Sequence, residues 1–294
     1  MKPTLFSVSY AGLWGQHRLG VDAFIRKAAA LGYSAVELMG KRPHLSPIDT
    51  SPSEAQRVRR TAQECQIEIA SVAAYTDFTA PASAGTPCVE IQWVYVESLC
   101  RLAAELGAKI VRIFTGYRHA EGSHGKEWAD CVSAVRECAE IAERHGVCIG
   151  LQNHHDLGVA FEAYSEFLEE VAHPACKAMF DPWAPALHGD DLYAAARSLA
   201  PRMVQTTLAD YVRLRRFKYQ PDIVQYVREA DALRAVPLGD GVIDNAAFLR
   251  GLRDGGFDGY VAYEMCSPLR GGGNEENLDR SARRSLAAIQ GMIG

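Results

Sequence analysis

One carboxylate in this chain stands at the end of a short apolar segment, where it is well placed to do chemistry. The stretch from Leu238 to Met265 contains a glycine-rich turn, a helix-like pattern and the apolar run Tyr-Val-Ala-Tyr, which is followed at once by Glu264. Removing a carboxylate from water costs free energy unless a cation or a hydrogen-bonding substrate receives it. Glu264 is therefore our first candidate for a functional group.

Polar side chains follow the other apolar segments in the same way. They are Glu37, Tyr75, Asp77, Gln152, His154, Asp181, Gln205 and Thr207. The alternation of side chains along a strand predicts that Gln152 and His154 share one face of their strand, and that Gln205 and Thr207 share one face of theirs. In a barrel of parallel strands the C-terminal strand ends converge on one mouth. We expect the functional site there.

Eight apolar segments alternate with longer amphipathic stretches, which is the pattern of an α/β protein with a (β/α)8 TIM barrel. The predicted strands are 4–9, 35–39, 67–75, 109–114, 147–153, 176–181, 203–208 and 260–264. Several helix-like stretches between them end on glycine, as helix C-termini do. No Gly-x-Gly-x-x-Gly turn follows the first strand, so an open dinucleotide-binding sheet is disfavoured. We predict a single domain, 1–294, with a partly helical insertion at about 211–236 over the barrel mouth.

Composition and charge disfavour several classes of binding partner and several kinds of site. Acidic and basic residues are interspersed, the net charge is −5, and the only basic cluster is Arg213, Arg215, Arg216 and Lys218, so we expect no nucleic-acid or membrane partner. No segment approaches the roughly 20 apolar residues of a membrane span, and the first residues do not resemble a signal peptide, which predicts a cytoplasmic protein. The eight cysteines form no Cys-x-x-Cys pair, so neither a disulfide framework nor a structural zinc site is expected.

Several short motifs, in the right order, resemble the sugar phosphate isomerase/epimerase superfamily, the xylose isomerase-like TIM barrels. They are VELMG at the second strand, GAKIVRIFTG at the fourth, GLQNHHD at the fifth, FDPWAPALHGDDL at the sixth, TTLADYVR at the seventh, and LGDGVID with GFDGYVAYEM at the eighth. The resemblance covers nearly the whole chain. It implies a barrel that binds a small sugar or polyol carbonyl compound at its mouth, in subunits that often form homo-oligomers.

The same resemblance implies one divalent metal ion, Mn²⁺, Mg²⁺ or Co²⁺, held by a Glu, an Asp, a His and a second Glu from strands five to eight. Such an ion polarises a sugar carbonyl and its neighbouring hydroxyl. By position in the motifs the Asp is Asp181 and the second Glu is Glu264, whereas Gln152 replaces the first Glu and Thr207 replaces the His. Gln152 still offers an oxygen to a metal, but an amide cannot accept a proton from carbon. The pattern fits a degenerate metal site, and equally a site in which Gln152 and Thr207 hydrogen-bond to each other or to a polyol.

Further side chains complete the predicted site, and each also has an ordinary structural explanation. His154 is a candidate second proton carrier, or a structural hydrogen-bonding group. Arg213 follows Thr207 by six residues, a spacing that resembles the family's substrate-binding arginine, although a solvated loop would explain it too. Trp183 and Trp14 would stack on a sugar ring, or simply pack. Thr207, Gln205 and Glu37 are further candidates for substrate binding.

The turn Gly239-Asp240-Gly241 resembles a glycine loop that lines the substrate site in this family. We favour a simpler interpretation, a turn followed by a helix that is capped by Asp244.

These observations predict a sugar or sugar-derivative isomerase or epimerase that transfers a proton next to a carbonyl, with Glu264 as base or metal ligand. A dehydratase of a keto-polyol, which is a lyase, would use the same first step. The loss of two of the four metal-binding residues leaves a different class open, namely a non-catalytic sugar-binding barrel or a subunit that needs a partner. Phosphodiester cleavage, as in the endonuclease relatives, would require more histidines at strand ends.

Overall fold

Eight parallel strands form the barrel in the computed structural model, which describes residues 1–80, 85–120 and 122–294. Barrel strands one to seven are β1 (Lys2–Phe6), β2 (Ala35–Met39), β3 (Glu68–Ala73), β4 (Ile110–Ile113), β5 (Cys148–Gln152), β6 (Cys176–Met179) and β7 (Gln205–Leu208). A hairpin of β8 (Asp210–Gln220) and β9 (Gln225–Val236) comes next in the chain, and β10 (Tyr260–Tyr263) is the eighth barrel strand. The strands follow in chain order around the barrel, with β10 between β7 and β1. The predicted barrel is confirmed.

The remaining contact, between β6 and β7, is a single parallel bridge. Ala178 pairs with Met203, and the backbone N–H of Val204 donates to the carbonyl of Ala178 at 3.0 Å. The barrel is therefore nearly closed, and the side chains at its C-terminal strand ends face one another across a narrow mouth.

Helices cover the outside of the barrel. They are α1 (Val21–Leu31), α2 (Pro52–Glu64), α3 (Cys88–Leu106), α4 (His124–Arg144), α5 (Phe161–Val171), α6 (Trp183–His188), α7 (Leu192–Leu199), α8 (Asn245–Asp254) and α9 (Glu275–Ile293). Several of the residues that begin and end these helices are of the types that commonly cap helices. A capping box between Ser51 and Glu54 begins α2, and α1 and α3 end at Gly32 and Gly107 in the left-handed conformation. None of the helices in the described ranges is long and apolar enough to cross a membrane.

The predicted strand at 4–9 is shorter in the structure because its second half forms a tight turn. Residues Ser7–Tyr10 form one turn of 3₁₀ helix. The Ser7 hydroxyl accepts from the backbone N–H of Met39 at 2.8 Å, and the Ser9 hydroxyl accepts from that of Met265 at 2.9 Å. These side chains tie the turn to the ends of neighbouring strands, which extended backbone would not allow.

Residues 210–236 form an antiparallel hairpin with one turn of 3₁₀ helix, Pro221–Ile223, between its strands, where we expected a partly helical insertion at about 211–236. Strand β8 alternates aliphatic or aromatic residues with basic ones, a composition that favours extended structure. The hairpin leaves the C-terminal end of β7. Tyr211 and Val236 at its foot are buried, whereas Phe217 and Tyr226 near its tip are more than half exposed.

Asp210 anchors the foot of the hairpin. Its carboxylate accepts hydrogen bonds from the backbone N–H groups of Tyr211, Gly239, Gly241 and Ile243 at 2.9–3.1 Å. A Cβ on Gly241 would collide with this carboxylate, so the glycine is needed for the close approach. The glycine turn is thus held by Asp210. The cap predicted for the following helix is confirmed, because the side chain of Asp244 accepts from the backbone N–H of Ala247.

Candidate active site

A buried guanidinium lies among the strand-end side chains. Arg112 on β4 is 2% exposed, and its Nη1 donates to Oε1 of Gln152 on the adjacent strand β5 at 2.8 Å. Its Nε lies 3.9 Å from Oε1 of Glu37. The guanidinium carbon lies 4.0 Å from the ring centre of Phe114 and 4.9 Å from that of Tyr75. Aromatic faces on which an arginine stacks fix its plane.

Gln152 connects this arginine to Asp181. The Nε2 of Gln152 donates to Oδ2 of Asp181 at 2.6 Å, and the backbone N–H of Trp183 donates to Oδ1 at 3.2 Å. Asn153 holds the backbone of Asp181 by two further hydrogen bonds. Burial raises the pKa of Asp181 to about 7, as does the charge of Glu264, whereas the hydrogen bond from Gln152 opposes the rise.

Glu37 and Gln205 form the layer beneath. Gln205 Nε2 donates to Oε2 of Glu37 at 2.7 Å, and neither side chain has any exposed surface. Burial raises the pKa of Glu37 to about 7 against the opposing charge of Arg112. Both side chains were predicted to bind substrate. The structure places them under the mouth, where they support Arg112.

Glu264 directly follows β10 and is the accessible carboxyl of the group. Burial raises its pKa to about 7, the charge of Arg112 opposes this rise, and the charge of Glu37 adds to it. The thiol of Cys266 donates to Oε1 of Glu264 at 3.3 Å, and the hydroxyl of Tyr211 lies 2.6 Å from the same sulfur. Burial, with the charge of Glu264, raises the pKa of Cys266 well above its usual range, so the thiol is neutral and able to donate.

A cavity of about 240 Å³ opens onto these groups. Its walls are largely aromatic, and polar groups meet it from strands on both sides. The residues that line it are Phe6, Val8, Trp14, Tyr75, Arg112, Phe114, Tyr117, His154, His155, Trp183, Glu264 and Cys266. Pockets for drug-sized ligands span roughly 300–1,000 Å³, so this cavity suits a smaller compound. A larger hollow, of about 570 Å³ against α3 and α4, contains none of the strand-end carboxyl groups discussed above.

His154 lies in the cavity wall as a neutral imidazole. Its ring stacks on Phe114 with centres 4.4 Å apart, and burial, helped by the charges of His155 and Arg112, lowers its pKa to about 3. The backbone N–H of His155 donates to its Nδ1 at 2.8 Å. The ring proton is therefore on Nε2, which makes His154 a hydrogen-bond donor to a ligand and a poor proton acceptor.

The structure brings most of the predicted site residues together, with one exception. Glu264, His154, Trp183 and Trp14 line the cavity, Gln152 and Asp181 lie beside it, and Thr207 is buried on β7 one side-chain step nearer the mouth than Gln205. Arg213 does not join them. It is exposed on the hairpin, opposite Leu233, because β8 continues as a strand where a loop would have turned back over the mouth.

Sequence reasoning missed Arg112, and for Cys266, two residues beyond Glu264, it favoured a packing role. Arg112 had a usable signal, because it is a lone basic residue inside the buried strand Ile110-Val111-Arg112-Ile113. Such a charge needs acceptors inside the barrel. The sequence around Cys266 does not indicate its contact with Tyr211. That contact depends on where the hairpin that contains Tyr211 begins.

Comparison with known proteins agrees with the barrel. The profile of the xylose isomerase-like TIM barrel family matches residues 25–289. The chain belongs to this family. No curated protein matches its sequence.

Solved structures of this xylose isomerase-like fold match over essentially the full chain. D-psicose 3-epimerase from Clostridium cellulolyticum H10, solved with D-tagatose, has a TM-score of 0.74 at 18% identity, covering 100% of this chain and 99% of that one. A D-psicose 3-epimerase solved in the presence of D-fructose has a TM-score of 0.76 at 17% identity, covering 100% of both chains. The probable 3-DHS dehydratase AsbF from Bacillus anthracis has a TM-score of 0.75 at 17% identity, covering 99% of both chains. At these identities the likeness shows the fold alone.

The residues do not fit the divalent ion that the family resemblance implies. Oε1 of Gln152 already accepts from the guanidinium of Arg112, and Oδ2 of Asp181 accepts from the same glutamine. Within residues 1–80, 85–120 and 122–294, no group of three or more His, Cys, Asp or Glu side chains could hold a metal ion. A permanent cation, the guanidinium of Arg112, is hydrogen-bonded to one of the two oxygens that would have to coordinate the ion, and the amide of Gln152 is hydrogen-bonded to the other. We therefore derive no step through a metal.

Proposed function

We propose that this xylose isomerase-like barrel removes a proton from the carbon next to the carbonyl group of a small polyhydroxylated compound, with Glu264 as the base. The observation that carries the proposal is that Glu264 borders an aromatic cavity which Arg112 also lines. The C–H bond breaks, the proton passes to the Glu264 carboxylate, and the electron pair moves onto the carbonyl oxygen. A pKa of about 7 suits a group that must accept and return a proton near neutral pH.

The cavity walls support a small, partly apolar and partly hydroxylated ligand. Trp14 and Trp183 offer aromatic surface to the C–H side of such a compound. Nε2 of His154 offers a hydrogen bond to a hydroxyl group. These contacts orient the ligand, while Glu264 is the one carboxyl group that lines the cavity among the residues described.

With Glu264 as the single base, isomerisation is favoured over inversion at the carbon that loses its proton. Inversion at one carbon requires a second acid on the opposite face, and the residue that would correspond to that base is Gln152, whose amide cannot donate a proton to carbon. Return of the proton by Glu264 to the former carbonyl carbon, with transfer of the neighbouring hydroxyl proton to the former carbonyl oxygen, gives an isomer. We therefore place isomerisation first.

Loss of a neighbouring hydroxyl as water is the second candidate, and it also needs only one base. A probable 3-DHS dehydratase is among the structural neighbours. If no C–H bond of any ligand is broken, the protein is the non-catalytic sugar-binding barrel that the sequence also allowed.

Solvent deuterium exchange tests the proposal without requiring the product to be known. The protein is incubated in D₂O with a panel of keto sugars and keto-polyols, and ¹H NMR follows the hydrogen next to the carbonyl. We expect exchange that falls by about 10²–10⁴-fold in Glu264→Gln and persists in the surface variant Glu275→Gln. A new olefinic signal identifies dehydration. Ligand-induced stabilisation without exchange for any compound would overturn the proposal in favour of a binding protein.

A further inference from the structure

We infer that the guanidinium of Arg112 takes the place of the divalent cation in this barrel and binds the carbonyl oxygen of the substrate. The role in binding substrate rests on the proposed function, whereas the replacement of the cation does not. In this inference the arginine side chain supplies the positive charge that a metal ion would otherwise supply at the barrel mouth.

The contacts of Arg112 place it at the positions expected to hold a metal. It extends from β4, but its Nη1 donates to Gln152 and, through that amide, it is linked to Asp181. Its charge also acts on Glu264 and on Glu37 from the layer beneath. The charge of Arg112 thus acts on carboxyl groups that lie on β2 and directly after β6 and β10.

The substitutions at the family positions match this replacement in charge. The implied arrangement combines a divalent ion with three carboxylates, for a net charge of −1. At the family positions of this chain Gln152 is neutral, so Arg112 combines with the carboxylates of Asp181 and Glu264, again for a net charge of −1; Glu37 lies in the layer beneath and outside those positions. Replacing one carboxylate with an amide therefore compensates for replacing a divalent cation with a monovalent one. The neutral Thr207, where the family has a histidine, also leaves no metal-binding nitrogen.

The free donors of Arg112 indicate where an oxygen would bind. Its Nη2 is buried and has no hydrogen-bond partner in the part of the chain that the structure describes, whereas its Nε faces Oε1 of Glu37 at 3.9 Å, beyond hydrogen-bonding distance. Buried donors without partners are rare in folded proteins and call for a ligand or water. Arg112 borders the cavity, and Phe6, Tyr75 and Phe114 hold its plane. A carbonyl oxygen that gains negative charge as Glu264 removes the proton would meet a preorganised cation there.

Titration with Mn²⁺, followed by the electron paramagnetic resonance signal of the free ion, tests the replacement without any substrate. We expect the wild-type protein and Arg213→Met, a matched exposed arginine, to leave the free Mn²⁺ signal unchanged. The triple variant Arg112→Met, Gln152→Glu and Thr207→His should bind about one equivalent. The double variant that retains Arg112 should bind at least roughly 10-fold more weakly, because its cation repels the ion.

Two results would overturn the replacement. One is a single equivalent of Mn²⁺ on the wild-type protein that disappears in Asp181→Ala. The other is a triple variant that is folded by circular dichroism and binds no Mn²⁺, since Arg112 would then not be what keeps the metal out. If the triple variant does not fold, the wild-type titration still decides.

A second measurement separates this inference from the proposed function. With any compound that exchanges deuterium, treatment of the wild-type protein with EDTA should leave the rate unchanged, while Arg112→Met should lower it by about 10²–10³-fold and Arg112→Lys by less. Loss of exchange after EDTA would overturn the role of Arg112. If no compound exchanges, the proposed function fails and the Mn²⁺ titration still judges the replacement.

Discussion

The guanidinium of Arg112 donates to the side-chain oxygen of Gln152 at 2.8 Å, across the adjacent strands β4 and β5. The other end of the same amide donates to Asp181 at 2.6 Å. An amide can accept from a guanidinium with its oxygen and donate to a carboxylate with its nitrogen at once. A glutamate at this position would have nothing to donate to Asp181 when ionised, so the pairing explains why position 152 is Gln.

We expect Gln152→Glu to destabilise the protein at pH 8 for this reason. The variant loses the donor to Asp181 and brings two carboxylates together, which should lower the free energy of unfolding by roughly 1–3 kcal/mol. The deficit should shrink at pH 6, where the two carboxyls share a proton. Urea denaturation at both pH values measures it, with the exposed Gln56→Glu as control. An equal deficit at the two pH values would contradict the shared proton.

The raised pKa of Glu37 predicts an unusual pH dependence of stability. Its pKa rises from 4.5 to about 7 on folding, so between these values the folded chain holds a proton that the unfolded chain has lost. The free energy of unfolding should therefore fall as the pH rises from 4.5 to 7, by at most about 3 kcal/mol from this group. Urea denaturation of Glu37→Gln should show a smaller fall than that of the wild-type protein.

Glu68 provides a control, because folding lowers its pKa whereas folding raises that of Glu37. Hydrogen bonds from Lys2 and Tyr260 lower its pKa, so its contribution is present above pH 4.5 and is lost as the pH falls through the lowered pKa. Glu68→Gln should leave the fall between pH 4.5 and 7 in place. The interpretation of Glu37 is wrong if both variants keep the wild-type slope.

Cys266 should tune the acidity of Glu264. Its thiol donates to the carboxylate and thereby opposes the rise in pKa. Cys266→Ala should raise the pKa of Glu264 further, and Cys266→Ser, which keeps a donor, should restore it. Titration of the ¹³C-labelled glutamate carboxyls by NMR measures this, with Cys65→Ala as control. Superimposable titration curves for Cys266→Ala and the wild-type protein would show that the thiol has no such effect.

Asp210 should be important for stability although it does not line the cavity. Its two oxygens accept four backbone hydrogen bonds, and the amide of Asp210→Asn can satisfy only part of them. We expect the free energy of unfolding to fall by about 2–4 kcal/mol. Hydrogen exchange at Gly239 and Gly241 should accelerate as well. The nearby surface variant Asp240→Asn, which only loses a pair with Arg284, should change stability by less than about 1 kcal/mol.

The outer part of the hairpin should be dispensable for the barrel. Leu214 faces Ala232, and most residues beyond this pair are exposed and bonded across the hairpin. Replacing residues 215–231 with Asn-Gly should keep the strands paired through a two-residue turn and change the free energy of unfolding by less than about 1 kcal/mol. Urea denaturation tests stability, and size-exclusion chromatography reports any change in oligomeric state. A loss above about 2 kcal/mol would show that the outer hairpin supports the barrel.

The sequence by itself determined the barrel and most of the mouth. All eight predicted strands are present, and the strand at 35–39 has the predicted bounds. Strand periodicity, glycine caps and capping boxes act over a few residues, so they can be recognised without the tertiary structure. Because parallel barrel strands all end at one mouth, the same local pattern brought Glu264, Asp181, Gln152 and His154 to one place.

Only the tertiary structure decided what these residues do there. Gln152 and Thr207 were compatible with a weak metal site until Arg112, 40 residues earlier in the chain than Gln152, was seen to bond to that glutamine across β4 and β5. Likewise, the position of Arg213 on the exposed hairpin, outside the lining of the cavity, depends on the pairing of β8 with β9. These contacts join residues far apart in sequence, and no local pattern determines which buried groups will face each other.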